Sequence, residues 1–176
     1  MMTDRNRGKV APTMAETEFI IKPGTHAMTM TRVFDAPREL VFKAMTDPNL
    51  IPKWWGPRDH STKVDNMEVR SGGSWRFINV DSGGNEYGFH GVYHLIDAPN
   101  RVVQTFEFEG VPGHVALETM TLEDQGGKTR MVQQSVFQSV EDRDGMVQSG
   151  MQKGATETND RLAELLVELS KEKRSH

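Results

Sequence analysis

One carboxylate stands out among the side chains that could do chemistry. Glu118 lies in the run VALETMTLE, where alternation with a period of two puts it on the same side as Met120 and Leu122. A carboxylate left unpaired on an apolar face has a raised pKa and can act as a general acid or base. The same alternation sets Met131, Gln133, Ser135 and Phe137 on one side of TRMVQQSVF, and Val102, Gln104, Phe106 and Phe108 on one side of RVVQTFEFE. Tyr93 shares a side with Tyr87, Phe89, Gly91 and Leu95, and Asn79 shares one with Trp75 and Phe77. If Met120 and Met131 face inward, a few polar groups punctuate a mostly apolar wall, which is the composition of a small-molecule pocket. The competing reading places these polar groups at strand ends, bonded to backbone or water, with Glu118 near the rim or in a salt bridge.

Other constellations carry less. His90 and His94 are four apart, about 13 Å along a strand, too far to chelate one metal, and they fall opposite Tyr93, so exposed histidines are expected. His60 and His114 are isolated, and no metal site is expected. No serine occupies a G-x-S-x-G frame. GGSWRF and SGGN read as hairpin turns rather than phosphate loops, because strands follow them. The absence of cysteine removes thiol nucleophiles, disulfides and Cys-ligated clusters together. No cofactor is implied.

These side chains need elements to hold them. Thr17 to Phe34 reads as a strand interrupted by a turn at Pro23-Gly24. In DAPRELVFKAMTDP, Pro37 suits a first helical turn, and Leu40, Val41, Ala44 and Met45 recur at helical spacing. Asp47-Pro48 opens a second short helix ending near Trp55, before Gly56-Pro57. The period then shortens to two, and glycine pairs and Pro-containing turns divide the chain into strands at 64–70, 74–81, 86–96, 101–109, 115–123 and 128–138. Short links favour antiparallel neighbours. From Gly145 to Glu172 helical spacing returns, with Met151, Ala155, Leu162, Leu165, Leu166 and Leu169 on one broad face. The expectation is an α+β fold: one antiparallel sheet whose twist lets a long helix close its concave side.

With 176 residues the chain suits one domain over 17–172, preceded by a disordered tail over 1–16. The net charge of −4 argues against a nucleic-acid partner, which would need a basic face. No stretch approaches the 18 apolar residues that membrane insertion needs, and no apolar segment follows the first basic residues as in a secretory signal. Cytoplasmic location is the default expectation. An exposed edge strand leaves a homodimer open.

Five segments in order carry a family resemblance: DAPRELVFKAMTDPNLIPKWWGP, RSGGSWRF, GVYHLIDAPNRVVQTFEF, GGKTRM and SGMQKGATETNDRLAELL. Together they resemble the activator-of-Hsp90-ATPase-like (AHSA1) domains of the START-like, or SRPBCC, superfamily, over roughly Thr25 to Leu169. The resemblance implies a helix-grip fold, a seven-stranded antiparallel sheet around a long C-terminal helix with two short helices after strand 1. It also implies a deep cavity for lipids, polyketides and other apolar ligands. Mapped by alternation, that cavity would be lined by Trp75, Phe77, Phe89, Tyr93, Phe106, Met120, Met131 and Phe137. Asn79, Gln104, Glu118 and Gln133 would be its polar groups. Met151, Ala155 and Leu162 would cover it from the helix, and Trp54 and Trp55 would lie where the short helices close its mouth. The leading expectation is binding of a hydrophobic or amphipathic small molecule without a reaction. A cofactor-independent cyclase using Tyr93 and Glu118 is the second reading, and a chaperone-interacting module is the third. Hsp90 itself is not the expected partner, because the eukaryotic co-chaperone contacts it through an additional N-terminal domain, which the fifteen-residue tail here cannot supply.

Overall fold

A computed structural model describes residues 15–175. The tail expected over 1–16 falls outside this range except for its last two residues. Strands β1 (Glu18–Ile20) and β2 (Ala27–Phe34) come first, followed by helix α1 (Arg38–Thr46) and a 3-10 turn at Ile51–Lys53. Strands β3 (Ser61–Met67), β4 (Ser74–Val80), β5 (Glu86–Asp97), β6 (Arg101–Phe108), β7 (Val115–Asp124) and β8 (Thr129–Val136) run next. Helices α2 (Val140–Gln148) and α3 (Met151–Arg174) close the chain. All strands join one 8-stranded sheet in the order β1-β2-β8-β7-β6-β5-β4-β3, and every pairing is antiparallel. The fold is α+β with a helix-grip layout.

Three expectations are corrected. The sheet has eight strands rather than seven, because the turn at Pro23-Gly24, with Gly24 at φ 74, folds Glu18–Ile20 back onto Thr29–Thr31 as a separate edge strand. The second short helix shrinks to a single 3-10 turn. Pro48 and Pro52 withdraw amide donors, and Gly56, at φ 96, ends the run before an α-helical ladder can form. The helical run read over Gly145 to Glu172 is divided between two helices, of which α3 is the expected long C-terminal one. The Ser139 hydroxyl accepts from the Asp142 amide at 3.0 Å and starts α2 earlier than expected, and Gly150, at φ 84, breaks the chain before α3.

The sheet's inner face is set by strict alternation in β2 and β4, where every second side chain is buried. In β5 the alternation is interrupted. A bulge between Tyr93 and Leu95 inserts one residue, so Ile96, not the expected Leu95, continues the inner row and packs on the core. The 24-residue α3 is about 36 Å long and lies across the concave face. Its C-terminal half is the solid end of the molecule: Leu162, Leu165 and Leu166 pack in one cluster with Phe34, Val41, Trp54, Leu122 and Met131. Each such side chain contributes roughly 1.5–3 kcal/mol through burial. Arg32, on the inner face of β2, ties the sheet to α3 through Asp160 at 2.7 Å.

Candidate functional site: a hollow between the sheet and the last helix

Under the N-terminal half of α3 the interior is not filled. A cavity of about 540 Å³ lies between the sheet and the helix. The aromatic end comes from β4, β5 and β6, whose inward residues form two rungs: Phe77 opposite Phe89 opposite Phe108, and Trp75 opposite Gly91 next to Phe106. Trp55 closes this end edge-on, with ring centroids 5.1 Å from Phe77, 5.3 Å from Phe89 and 6.5 Å from Trp75. Gly91 makes the packing of Trp75 feasible. A Cβ there would come within 1.9 Å of the Thr105 carbonyl and 2.7 Å of the Trp75 indole nitrogen.

Four of the polar groups fall on a single row. Cross-strand registers place Tyr93 opposite Gln104, Gln104 opposite Glu118, Glu118 opposite Ser135, and Ser135 opposite Met28. Five adjacent strands therefore present Tyr93, Gln104, Glu118, Ser135 and Met28 side by side. On the next row Met120 stands opposite Gln133 and Val102. The Glu118 carboxylate accepts from Gln104 Nε2 at 3.2 Å on one oxygen. On the other it accepts from Gln133 Nε2 at 2.9 Å and Ser135 Oγ at 3.4 Å. No cationic side chain pairs with it among the described residues. Burial pushes its pKa up, against the opposing hydrogen bonds from Gln104 and Ser135. Its remaining accessibility is what the hollow itself provides. Burial likewise raises the Tyr93 phenol, so that group stays a neutral hydroxyl.

The cavity wall contains Trp54, Trp55, Trp75, Phe77, Asn79, Phe89, Tyr93, Gln104 and Phe106 among the residues expected from the sequence. It also contains Glu118, Met120, Met131, Gln133, Phe137, Met151 and Ala155. Leu162 is the exception. It is fully buried in the solid core, two helical turns past Ala155, and does not border the hollow. Two others are in the wall but otherwise occupied. Asn79 accepts from Thr62 Oγ1 at 2.9 Å, and it stands opposite Tyr87, about 20 Å along β5 from Tyr93, so it does not join the Glu118 row. Trp54 is buried, with its indole N–H donating to the Ala44 carbonyl at 2.9 Å, and anchors the turn rather than closing a mouth. Exposed Tyr87 and Ser149, which border the cavity, mark where it meets solvent.

Sequence reasoning missed the contribution of β2, Met28 and Met30, and, beside the expected Met151 and Ala155 of α3, also Gly154, Thr158 and Asn159, all of which border the cavity. The alternating run AMTMTRVF carried the signal for the two methionines. His90 is partly exposed, as expected, and has acidic neighbours that the sequence reading did not foresee. On the outer face it lies between Glu109, at 2.9 Å from Nδ1, and Glu107, at 3.1 Å from Nε2, and Glu109 is further held by Arg76.

A sheet gripping a helix over an apolar hollow defines the helix-grip class of ligand-binding folds. Within it, the chain belongs to the family described as activator of Hsp90 ATPase homolog 1-like protein, whose profile matches residues 35–167. Solved structures agree. A protein from Rhodobacter sphaeroides is 26% identical with a TM-score of 0.78, covering 85% of this chain and 98% of its own. A protein from Arthrobacter aurescens is 24% identical with a TM-score of 0.80, covering 86% and 91%. CalU16 from Micromonospora echinospora is 20% identical with a TM-score of 0.56, covering 90% and 92%. No curated protein matches the chain significantly.

Proposed function

We propose that this protein binds a small, largely apolar molecule in the hollow between the sheet and α3. The observation that carries the reading is the wall itself: about 540 Å³ of space faced by aromatic and methionine side chains, with Tyr93, Gln104, Glu118 and Ser135 side by side on one row. A hollow of this size forgoes packing energy that a filled core would supply, so its retention argues for an occupant. Seven methionines border it (Met28, Met30, Met45, Met120, Met131, Met146 and Met151), and their unbranched side chains can re-pack around differently shaped ligands. Apolar contact would supply most of the affinity, at roughly 25 cal/mol per Å² before the costs of association.

Gly154 offers a direct test. It borders the cavity on α3, and nothing lies within 4 Å of where its Cβ would be. Gly154→Leu fills the hollow from the helix side. The wild type is expected to bind the neutral probe N-phenyl-1-naphthylamine with a rise in fluorescence, and G154L to lose at least about tenfold in affinity, which is ~1.4 kcal/mol, with no loss of thermal stability. Wild-type protein that neither binds the probe nor is stabilised by any of a panel of apolar compounds would overturn the reading.

A second reading, cofactor-independent acid–base catalysis, is favoured by Tyr93 and Glu118 sharing one row with only Gln104 between them. In it Glu118 would move a proton and the Tyr93 hydroxyl would hold an oxygen of the substrate. Turnover of a bound ligand by the wild type, abolished in both Glu118→Gln and Tyr93→Phe, is the expected result; turnover unchanged in both variants removes this reading.

A further inference from the structure

The charge inventory of the cavity deepens the binding reading, on which this inference rests. Among the described wall residues there is one carboxylate, Glu118, and no lysine or arginine. His60 borders the opening, but its Nδ1 is engaged by Asp59 at 2.7 Å and its ring lies beside Tyr87, three inward rows from Tyr93. An anionic amphiphile, such as a fatty acid, would therefore bring a second negative charge into an apolar space with no cation to meet it.

The hydrogen bonding around Glu118 points the same way. Its three protein partners are all neutral donors, an arrangement suited to an acceptor-only carboxylate. One oxygen receives two of these bonds and the other, Oε1, receives one from Gln104. Each carboxylate oxygen has lone pairs for about two, so Oε1 can accept one more bond from inside the hollow. A ligand carbonyl or ether would present an acceptor to this acceptor. A protonated amine supplies both the donor and the missing positive charge. The Tyr93 hydroxyl, without a hydrogen-bond partner among the described residues, is on the same row as a second acceptor. Trp75, Phe77, Phe89 and Phe106 border the same space, and aromatic rings attract cations over their faces.

We infer that the cavity selects an amphipathic amine, an apolar body carrying a protonated nitrogen that pairs with Glu118, and discriminates against anionic amphiphiles of the same shape. Three probes with one body test it by isothermal titration calorimetry at neutral pH: 2-(naphthalen-1-yl)ethylamine, 2-(naphthalen-1-yl)ethanol and naphthalen-1-ylacetic acid. On the wild type the amine is expected to bind about tenfold or more tighter than the alcohol, and the acid weakest. On Glu118→Gln the amine's advantage should fall to about threefold or less, with the alcohol little changed. The wild-type series decides by itself if the variant does not fold. An alcohol that binds the wild type as tightly as the amine, an acid that binds best, or an amine advantage that survives in E118Q overturns the inference while leaving cavity binding intact. Failure of all three probes to bind a wild type that does bind N-phenyl-1-naphthylamine also overturns the inference and leaves cavity binding standing; failure of that probe and of the apolar panel as well overturns both.

Discussion

At the scale of single residues, the interior and the outer face hold two carboxylates that burial and pairing drive in opposite directions. Glu118 has its pKa raised above 4.5 by burial, so the folded state holds its proton more tightly than the unfolded chain does. Stability is then expected to fall as pH rises from the unfolded value through the raised one, and the penalty persists above it. E118Q removes this slope. Thermal unfolding across mildly acidic to neutral pH should show the wild type losing melting temperature in that window while the variant does not. Glu109, held down to about 2 first by Arg76 and then by His90, has the reverse linkage. Its contribution is present above about 4.5 and is lost as pH falls toward about 2. The Arg76–Glu109 pair is partly exposed, so solvent screening limits it to about 1 kcal/mol or less. Glu109→Gln should lower stability at neutral pH by up to that amount and flatten the acid limb of the same titration, so that variant and wild type converge at low pH.

Two glycines make opposite predictions at the scale of the element. Gly154 lies inside α3 with open space around its missing Cβ, so Gly154→Ala gains helix propensity without a clash. It should raise unfolding free energy by about 0.5–1 kcal/mol in urea denaturation. Gly150 caps the same helix at φ 84, where an L side chain is strained, and Gly150→Ala should cost about 1–2 kcal/mol. A destabilised G154A would mean that the space beside Gly154 is filled. The strands show a parallel division. Most of their boundaries follow closely from alternation and turn residues, as with 74–81 read from sequence and Ser74–Val80 in the fold, but the strand read at 64–70 lies three residues earlier, at Ser61–Met67. The bulge at β5 does not follow from them, because an extra residue is revealed only by the strand opposite it.

Over the whole molecule, one helix covers two different interiors. Its C-terminal half closes a packed core and its N-terminal half roofs a hollow. Core truncations should therefore differ by position along α3. Leu166→Ala removes a side chain that is 1% exposed and should cost about 2–5 kcal/mol. Met151→Ala, already facing space, should cost about 1 kcal/mol or less, because fewer atoms lose contacts. Chemical denaturation of both variants measures the contrast, and equal costs would argue that the N-terminal half is packed as tightly as the rest.

Much of the design is local and was legible without coordinates. A period of two names the inward residues of each strand, a period near 3.6 names the apolar face of α3, and prolines and glycines mark where each element stops. Alternation groups Glu118 with Met120, Gln133 with Met131 and Gln104 with Phe106, and leaves open whether these sides share one wall with the other aromatics. It could not align those strands. Register depends on hydrogen bonds between segments far apart in sequence, and only those pairings set Tyr93, Gln104, Glu118 and Ser135 in one row while leaving Asn79 about 20 Å away. Nor could helical spacing separate Leu162 from Met151 and Ala155, since all three share a face. Which part of that face meets packed side chains and which meets open space is fixed by where the helix crosses the sheet. That crossing is a property of the assembled layers, because it minimises voids over every contacting residue at once rather than obeying any one segment.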